Sequence, residues 1–169
     1  NGNVLNANAH FEQAMHYTLA EIKGHHHRLF VPKAMAASQA YLDFWRALAK
    51  GQYQSGTYQR VNKAGEEVWL EASYNPIFDD EGKVLKIIKY ATDVTETHNG
   101  RLFLEKTVSS ASRVLNAMAE GNLAARMDMQ VDAQSTQLFS GIIHDLIQAI
   151  NAMAHRLEDV LGEIFQVSQ

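Results

Sequence analysis

From Phe139 to Val167 the apolar residues Phe139, Ile142, Leu146, Ile150, Met153, Leu157, Val160, Ile164 and Val167 recur at steps of three or four. That spacing is a heptad seam, and it lays one apolar stripe along a helix. A lone helix cannot bury such a stripe, so the sequence requires a partner helix. Upstream, Leu104, Val108, Ala111, Leu115 and Met118 repeat the same steps, and Glu120-Gly121-Asn122-Leu123 interrupts them. The second half therefore reads as two helices and a connector, packed in a coiled-coil-like bundle.

The first half, to about Thr95, follows another period. Asn1-Gly2 is a hairpin-turn dipeptide, and Val4-Leu5-Asn6-Ala7 reads as a strand after it. Helical turns are expected over Ala9–Met15 and again from Thr18, an N-cap with Glu21 three residues on, with Gly24 as a stop. Ser38 opens a firmer helix whose Tyr41, Phe44, Trp45 and Leu48 share a face, and Gly51 ends it. Three strands follow: one through Tyr58-Gln59-Arg60-Val61, one over Glu67–Asn75 and one over Lys83–Val94. Turns at Lys63-Ala64-Gly65-Glu66 and Asp79-Asp80-Glu81-Gly82 separate them, and Pro76 is expected to close the second. Two domains result, 1–96 and 97–169.

Composition narrows the function. The 169 residues carry a formal charge of −4, which offers no basic face to nucleic acid or to an anionic membrane. The absence of cysteine excludes disulfides, thiolate metal sites and a cysteine nucleophile. No run approaches the ~20 apolar residues of a membrane span. The start at Asn1-Gly2 and the stop inside the periodic pattern read as a piece of a longer chain.

The stretch Gly24-His25-His26-His27-Arg28-Leu29-Phe30 holds three consecutive histidines. Adjacent side chains point in different directions, so at most two could share one ion, and His10, His16 and Glu21 are not diagnostically spaced to help. The other reading is a pocket wall, built with the Trp45 helix. Trp69 sits on the strand face opposite Val68, Leu70 and Ala72 and reads as a packing residue. His144-Asp145-Leu146 imitates the start of a kinase phosphoacceptor box, but Ile147-Gln148-Ala149-Ile150 follows where the box would carry Arg and Pro. With no nucleophile–base pair, phosphate loop or carboxylate pair, the chain does not read as an enzyme.

Several features together resemble the PAS domains of bacterial methyl-accepting chemotaxis and aerotaxis-type receptors: Asn8 with Phe11, Gly24 with His26-His27, Phe44-Trp45, Gly56, the Lys63–Gly65 turn, the Ala72–Ile77 stretch and Asp93-Val94-Thr95. The resemblance covers residues 1 to about 96. It implies an α+β fold, an antiparallel sheet with short helices over one face, whose first strand is missing or truncated. It implies a sensory role in chemotaxis or energy taxis, with a pocket that senses redox state, oxygen or a small ligand. Trp45 and His27, with His26 and Asn75, are its candidate pocket residues. FAD is the cofactor it implies. In place of a basic patch for the cofactor's phosphates stands Val31-Pro32-Lys33. Haem, held by His27 or His26, is one alternative, and a cofactor-free interaction and dimerisation module is the other. Asp93 and Thr95 would form a polar clasp at the exit helix. Residues 97–169 resemble a HAMP module, a parallel homodimeric four-helix bundle, with Leu123, Met127 and Val131 pinning the connector. Signalling proteins would act through parts beyond this segment, and the setting would be cytoplasmic, within a soluble or membrane-anchored receptor.

Overall fold

The computed structural model describes residues 2–127 and 137–167, with side chains over 2–127 and 141–164. The chain forms two compact units, Asn1–Thr95 and Glu96–Gln169.

In the first unit, α1 (Ala9–Met15) opens on Asn8, whose side chain accepts from the Phe11 N–H. The short α2 (Leu19–Ile22) opens at Thr18, where the Glu21 carboxylate reaches back to the Thr18 N–H at 2.9 Å. A 3₁₀ turn follows at His27–Phe30, then α3 (Lys33–Ala36) and α4 (Gln39–Ala49). Ser38 caps α4 by accepting from the Tyr41 N–H, which satisfies one of the donors that a helix start leaves free. The strands β1 (Gln54–Val61), β2 (Glu67–Phe78) and β3 (Val84–Asp93) make an antiparallel sheet in the order β1-β2-β3.

The alternation in β2 sets the core. Val68, Leu70, Ala72 and Tyr74 are buried on one face. Val68 and Leu70 pack with Met15, Ile22 and Phe30, while Ala72 and Tyr74 pack with Leu48 and, around them, Phe44, Trp45, Tyr58 and Ile87. Each large apolar side chain buried there contributes roughly 1.5–3 kcal/mol. The helices and the 3₁₀ turn therefore cover that face.

Two expectations are corrected. Pro76 does not end β2, which continues to Phe78. Pairing with β1 stops at Tyr74, so β2 at Pro76 is flanked by β3 alone and the missing N–H faces no ladder there. Val4–Ala7 is not a strand. The segment makes one isolated bridge, Asn3 to His26, supported by Val4 N–H to His25 C=O and Gly24 N–H to Val4 C=O. The exit helix begins at Thr95. Among the described residues the sheet has these three strands, and β3 is paired to β2 on one side only.

The second unit contains α5 (Thr95–Ala119) and α6 (Gln137–Val167). Val114, Met118, Met127, Ile150 and Ala154 form its core, with Leu123 packed against them. Asn151 fixes the connector: its side chain accepts from the Met127 N–H at 2.9 Å and donates to the Met127 carbonyl at 3.2 Å. Arg126 pairs with Glu158 at 2.6 Å. Of the predicted pins, Leu123 and Met127 pack as expected, and Val131 lies outside the described residues. The heptad seam is mostly open within one chain. Among its described side chains, α6 buries Ile143, Ile150 and Ala154, and of the described seam residues on α6 Ile150 alone is among them. Ile142, Leu146, Met153, Leu157, Val160 and Ile164 are exposed.

Candidate functional site

Between the segment Gly2–Asn8 and the open side of β3 lies a cleft of about 1820 Å³. Its wall carries His26, His27, Phe30 and Trp45, its floor Leu70 and Tyr74, and its far side the whole of β3. Gly2, at φ +71°, lets the backbone run close beneath this wall. A Cβ there would stand 2.8 Å from His26 Nε2 and 3.1 Å from the Trp45 ring. Glycine is required on both counts.

The 3₁₀ turn delivers His27 inward, where it is buried. Its Nδ1 is 3.1 Å from the Tyr41 hydroxyl and its Nε2 3.2 Å from the Tyr74 hydroxyl. Tyr74 also accepts from Arg60 at 3.0 Å. Burial, together with the charges of Lys89 and Arg60, holds His27 well below the ordinary imidazole pKa, so the ring is neutral. A neutral His27 and two phenols bring three hydrogens to the two bonds at the imidazole ring. Whichever ring nitrogen carries the proton, one hydrogen is left to donate elsewhere. The Trp45 ring meets His27 edge-on at 5.6 Å and 70°, and its buried indole N–H has no hydrogen-bond partner. That N–H lies near enough to the Tyr41 hydroxyl to affect its acidity without reaching hydrogen-bond geometry.

Sequence reasoning overlooked Lys89. It stands directly opposite Tyr74 in the β2–β3 register and so shares the inward face. Its Nζ lies 5.0 Å from the centre of the Phe11 ring and 5.5 Å from that of Tyr74. The stem is partly exposed, but Nζ is buried and has no hydrogen-bond partner. Desolvation first, then the Arg60 charge, lowers its pKa to about 7. The available signal was the period-two alternation, which puts Lys89 in line with Ile87 and Ala91. Tyr41, Arg60 and Tyr74 also escaped the sequence reading as site residues, because hydrogen bonds across strands and helices leave no local pattern.

The sequence-predicted residues divide into three places. Trp45, His27 and His26 meet at the cleft. His26 accepts from the Arg28 N–H and faces Trp45 at 5.6 Å. Asn75 is on the other face of β2 and does not line the cleft, and it donates to Ser73 Oγ and to the Ile88 carbonyl. Asp93 and Thr95 form the clasp. Asp93 Oδ1 accepts from the Thr95 N–H at 2.9 Å and from its hydroxyl at 2.6 Å, while Thr95 Oγ1 accepts from the Trp69 N–H at 2.9 Å. One side chain thus joins the first turn of α5 to the central strand. His144 is exposed and accepts from Gln148. Among the described residues no cluster of three or more His, Cys, Asp or Glu is placed to hold a metal.

Comparison with known proteins agrees with this architecture. The family model described as PAS fold matches residues 4–91. The biofilm dispersion protein BdlA of Pseudomonas aeruginosa strain PAO1 is 44% identical over 95 residues, covering 56% of this chain and 23% of that protein. The aerotaxis receptor of Escherichia coli K12 is 32% identical over 97 residues, covering 55% of this chain and 18% of the receptor. The chain thus spans under a quarter of the length of these curated relatives. Among solved structures, an RNA-binding light-oxygen-voltage receptor is similar at a TM-score of 0.53 and 27% identity, over 63% of this chain and 30% of that one.

Proposed function

The chain belongs to the PAS-fold family, and from that membership we propose that it is the sensory input segment of a chemotaxis- or energy-taxis-type receptor, with residues 1–96 as sensor and 97–169 as a HAMP-like output. The observation that carries the reading is the pairing of a cleft with a clasp on one short strand. β3 lines the cleft along its length and ends in Asp93, whose carboxylate holds Thr95 at the start of α5. A ligand or redox change that displaces β3 would reach Asp93 directly. Bundles with two packings turn such small displacements into distant output. A gap of about 1–3 kcal/mol between states suffices.

The residues at the cleft fit a planar aromatic cofactor in part. Trp45, His27 and Phe30 supply ring faces and edges, and the unpartnered Trp45 N–H could donate to a carbonyl edge. FAD would supply redox chemistry, tuned by such hydrogen bonds. The aerotaxis receptor and the light-oxygen-voltage receptor among the relatives support flavin as the first candidate. Haem is the alternative, and it would require His27 to give up one of its two tyrosine contacts or His26 to turn. The remaining reading is an interaction and dimerisation module without cofactor.

The visible spectrum of the purified chain, before and after incubation with FAD or haemin, separates these. A band near ~450 nm marks flavin and one near ~400 nm marks haem, each intrinsic to the cofactor. No band after reconstitution would exclude both. In a full receptor, Asp93→Ala should alter signalling output while cofactor or ligand content stays constant. Unchanged output would rule out the clasp as the relay.

A further inference from the structure

The polar contacts of the second unit are unevenly distributed. Beyond the turn that ends α5, the connector residue Met127 shares one core with Val114 and Met118 of α5 and with Ile150 and Ala154 of α6. Toward α5 these contacts are apolar. Toward α6 they include directional bonds. Asn151, half-buried beside Ile150, accepts from the Met127 N–H and donates to the Met127 carbonyl, as a neighbouring strand would. Arg126 pairs with Glu158, and the same guanidinium donates to the Leu123 and Ala125 carbonyls, which stiffens the stretch. Among the described residues, no hydrogen bond ties Leu123–Met127 to α5. The last such link is the Asn122 N–H to the Ala117 carbonyl, across Gly121 at φ +90°. Glycine is the residue that takes this turn without strain. An apolar side chain at position 151 would avoid the cost of desolvating an amide. Asparagine there selects one register, because a single connector residue meets both of its groups.

We propose that the connector and α6 move as one body, latched by Asn151, and that α5 shears against this body with Gly121 as the hinge. Apolar contacts tolerate small sliding, whereas a displacement of about 1 Å breaks a hydrogen bond. The inference rests on the reading of residues 97–169 as the output, and it names the surface at which that output changes state. A displacement arriving along α5 is taken up at Val114 and Met118, where only apolar atoms meet the connector. Asn151 is a positioning residue: it makes the connector follow α6 rather than α5.

The test uses the whole 169-residue chain and the NMR signals of the Met127 N–H, the Asn151 side-chain amide and the methionine methyl groups. Val114→Ala perturbs the α5 side of the core. It should shift the Met118 and Met127 methyl signals and leave the Met127 N–H and Asn151 amide signals in place. Asn151→Leu should keep helicity and speed exchange of the Met127 N–H by about tenfold or more, the scale of the two bonds lost. Asn151→Asp separates the bonds from the packing. Its carboxylate accepts from the Met127 N–H but has nothing to donate to the carbonyl, and protonation restores a donor. The Met127 methyl signal should approach that of Asn151→Leu at pH 7 and return toward wild type as acid titrates the aspartate, with wild type as control over the same range. In a full receptor, Asn151→Leu should leave output unresponsive while expression and dimerisation hold. Amide signals that move with Val114→Ala as far as the methyl signals, unchanged Met127 exchange in Asn151→Leu, or no acid recovery in Asn151→Asp would each overturn the inference and leave the output reading standing. If the NMR results hold but the Asn151→Leu receptor responds normally, the output reading fails, and the latch falls with it as a signalling device.

Discussion

His27 illustrates how one buried side chain sets a pH response. In the unfolded chain its pKa returns to about 6.5, while in the fold it lies well below, through burial and through the cations Lys89, Arg60 and His26. Between those two values the unfolded chain binds more protons. Its contribution to stability is therefore complete above about 6.5 and is lost as pH falls toward the folded value. His26, also lowered by burial and by Arg28, acts in the same direction. Glu21, held down to about 2 chiefly by Lys63, keeps its charge throughout the window from pH 5 to 6.5. Urea unfolding should show stability rising across that window, and His27→Phe should remove most of the slope. A wild-type stability that is flat there would show the ring to be protonated in the fold. The inward position of His27 was legible in the Gly-His-His-His stretch only as one of several readings. Its two tyrosine partners come from residues 41 and 74, which no local pattern ties to 27.

At the level of elements, β2 and β3 organise both ends of the first unit. Their register sets Lys89 against Tyr74 inside and Asn75 against Ile88 on the other face. At the end of β3 the clasp replaces ladder hydrogen bonding. The Val94 N–H still bonds the Trp69 carbonyl at 2.8 Å, but the Trp69 N–H is satisfied by Thr95 Oγ1. Thr95→Val keeps the shape and removes that acceptor. It should cost about 1 kcal/mol and speed hydrogen exchange at the Trp69 amide about fivefold relative to the middle of β2. Equal protection in both proteins would mean the clasp holds nothing. Local chemistry foretold most elements, because Thr18 with Glu21, Ser38 and Gly51 mark helix ends through their own neighbours. It misplaced the end of β2 because the effect of Pro76 depends on whether a strand lies beside it. It made a strand of Val4–Ala7 because a turn dipeptide does not reveal whether a partner strand lies alongside.

For the whole molecule, the second unit carries two apolar faces. Thr107, Val114 and Met118 on α5, and Ile143, Ile150 and Ala154 on α6, are buried at matching steps of seven and four. Met118 and Ile150 aside, most of the described residues of the predicted seam lie outside this face, with Val108 63% and Ile142 70% exposed, and Leu115, Leu146, Met153 and Leu157 also open. A second copy of the chain, giving the proposed homodimer, would cover it, since the seam residues keep heptad spacing over both helices. Sedimentation velocity should find a dimer, and Leu146→Glu combined with Leu157→Glu should weaken it at least about tenfold without loss of helicity, because the inner face is untouched. A dimer indifferent to both changes would place the interface elsewhere.

Period, caps and turn residues are properties of neighbouring residues. The sequence alone therefore determined the change from alternation to heptads near Thr95, most helix ends, the three strands and the resemblance to PAS domains. Which apolar stripe each helix buries, that Asn75 leaves the cleft, and that Lys89 enters it without a counter-charge were decided by the tertiary structure. Those outcomes depend on which strand or helix lies alongside, and a buried donor lacks an acceptor only once the packed chain has excluded water from it.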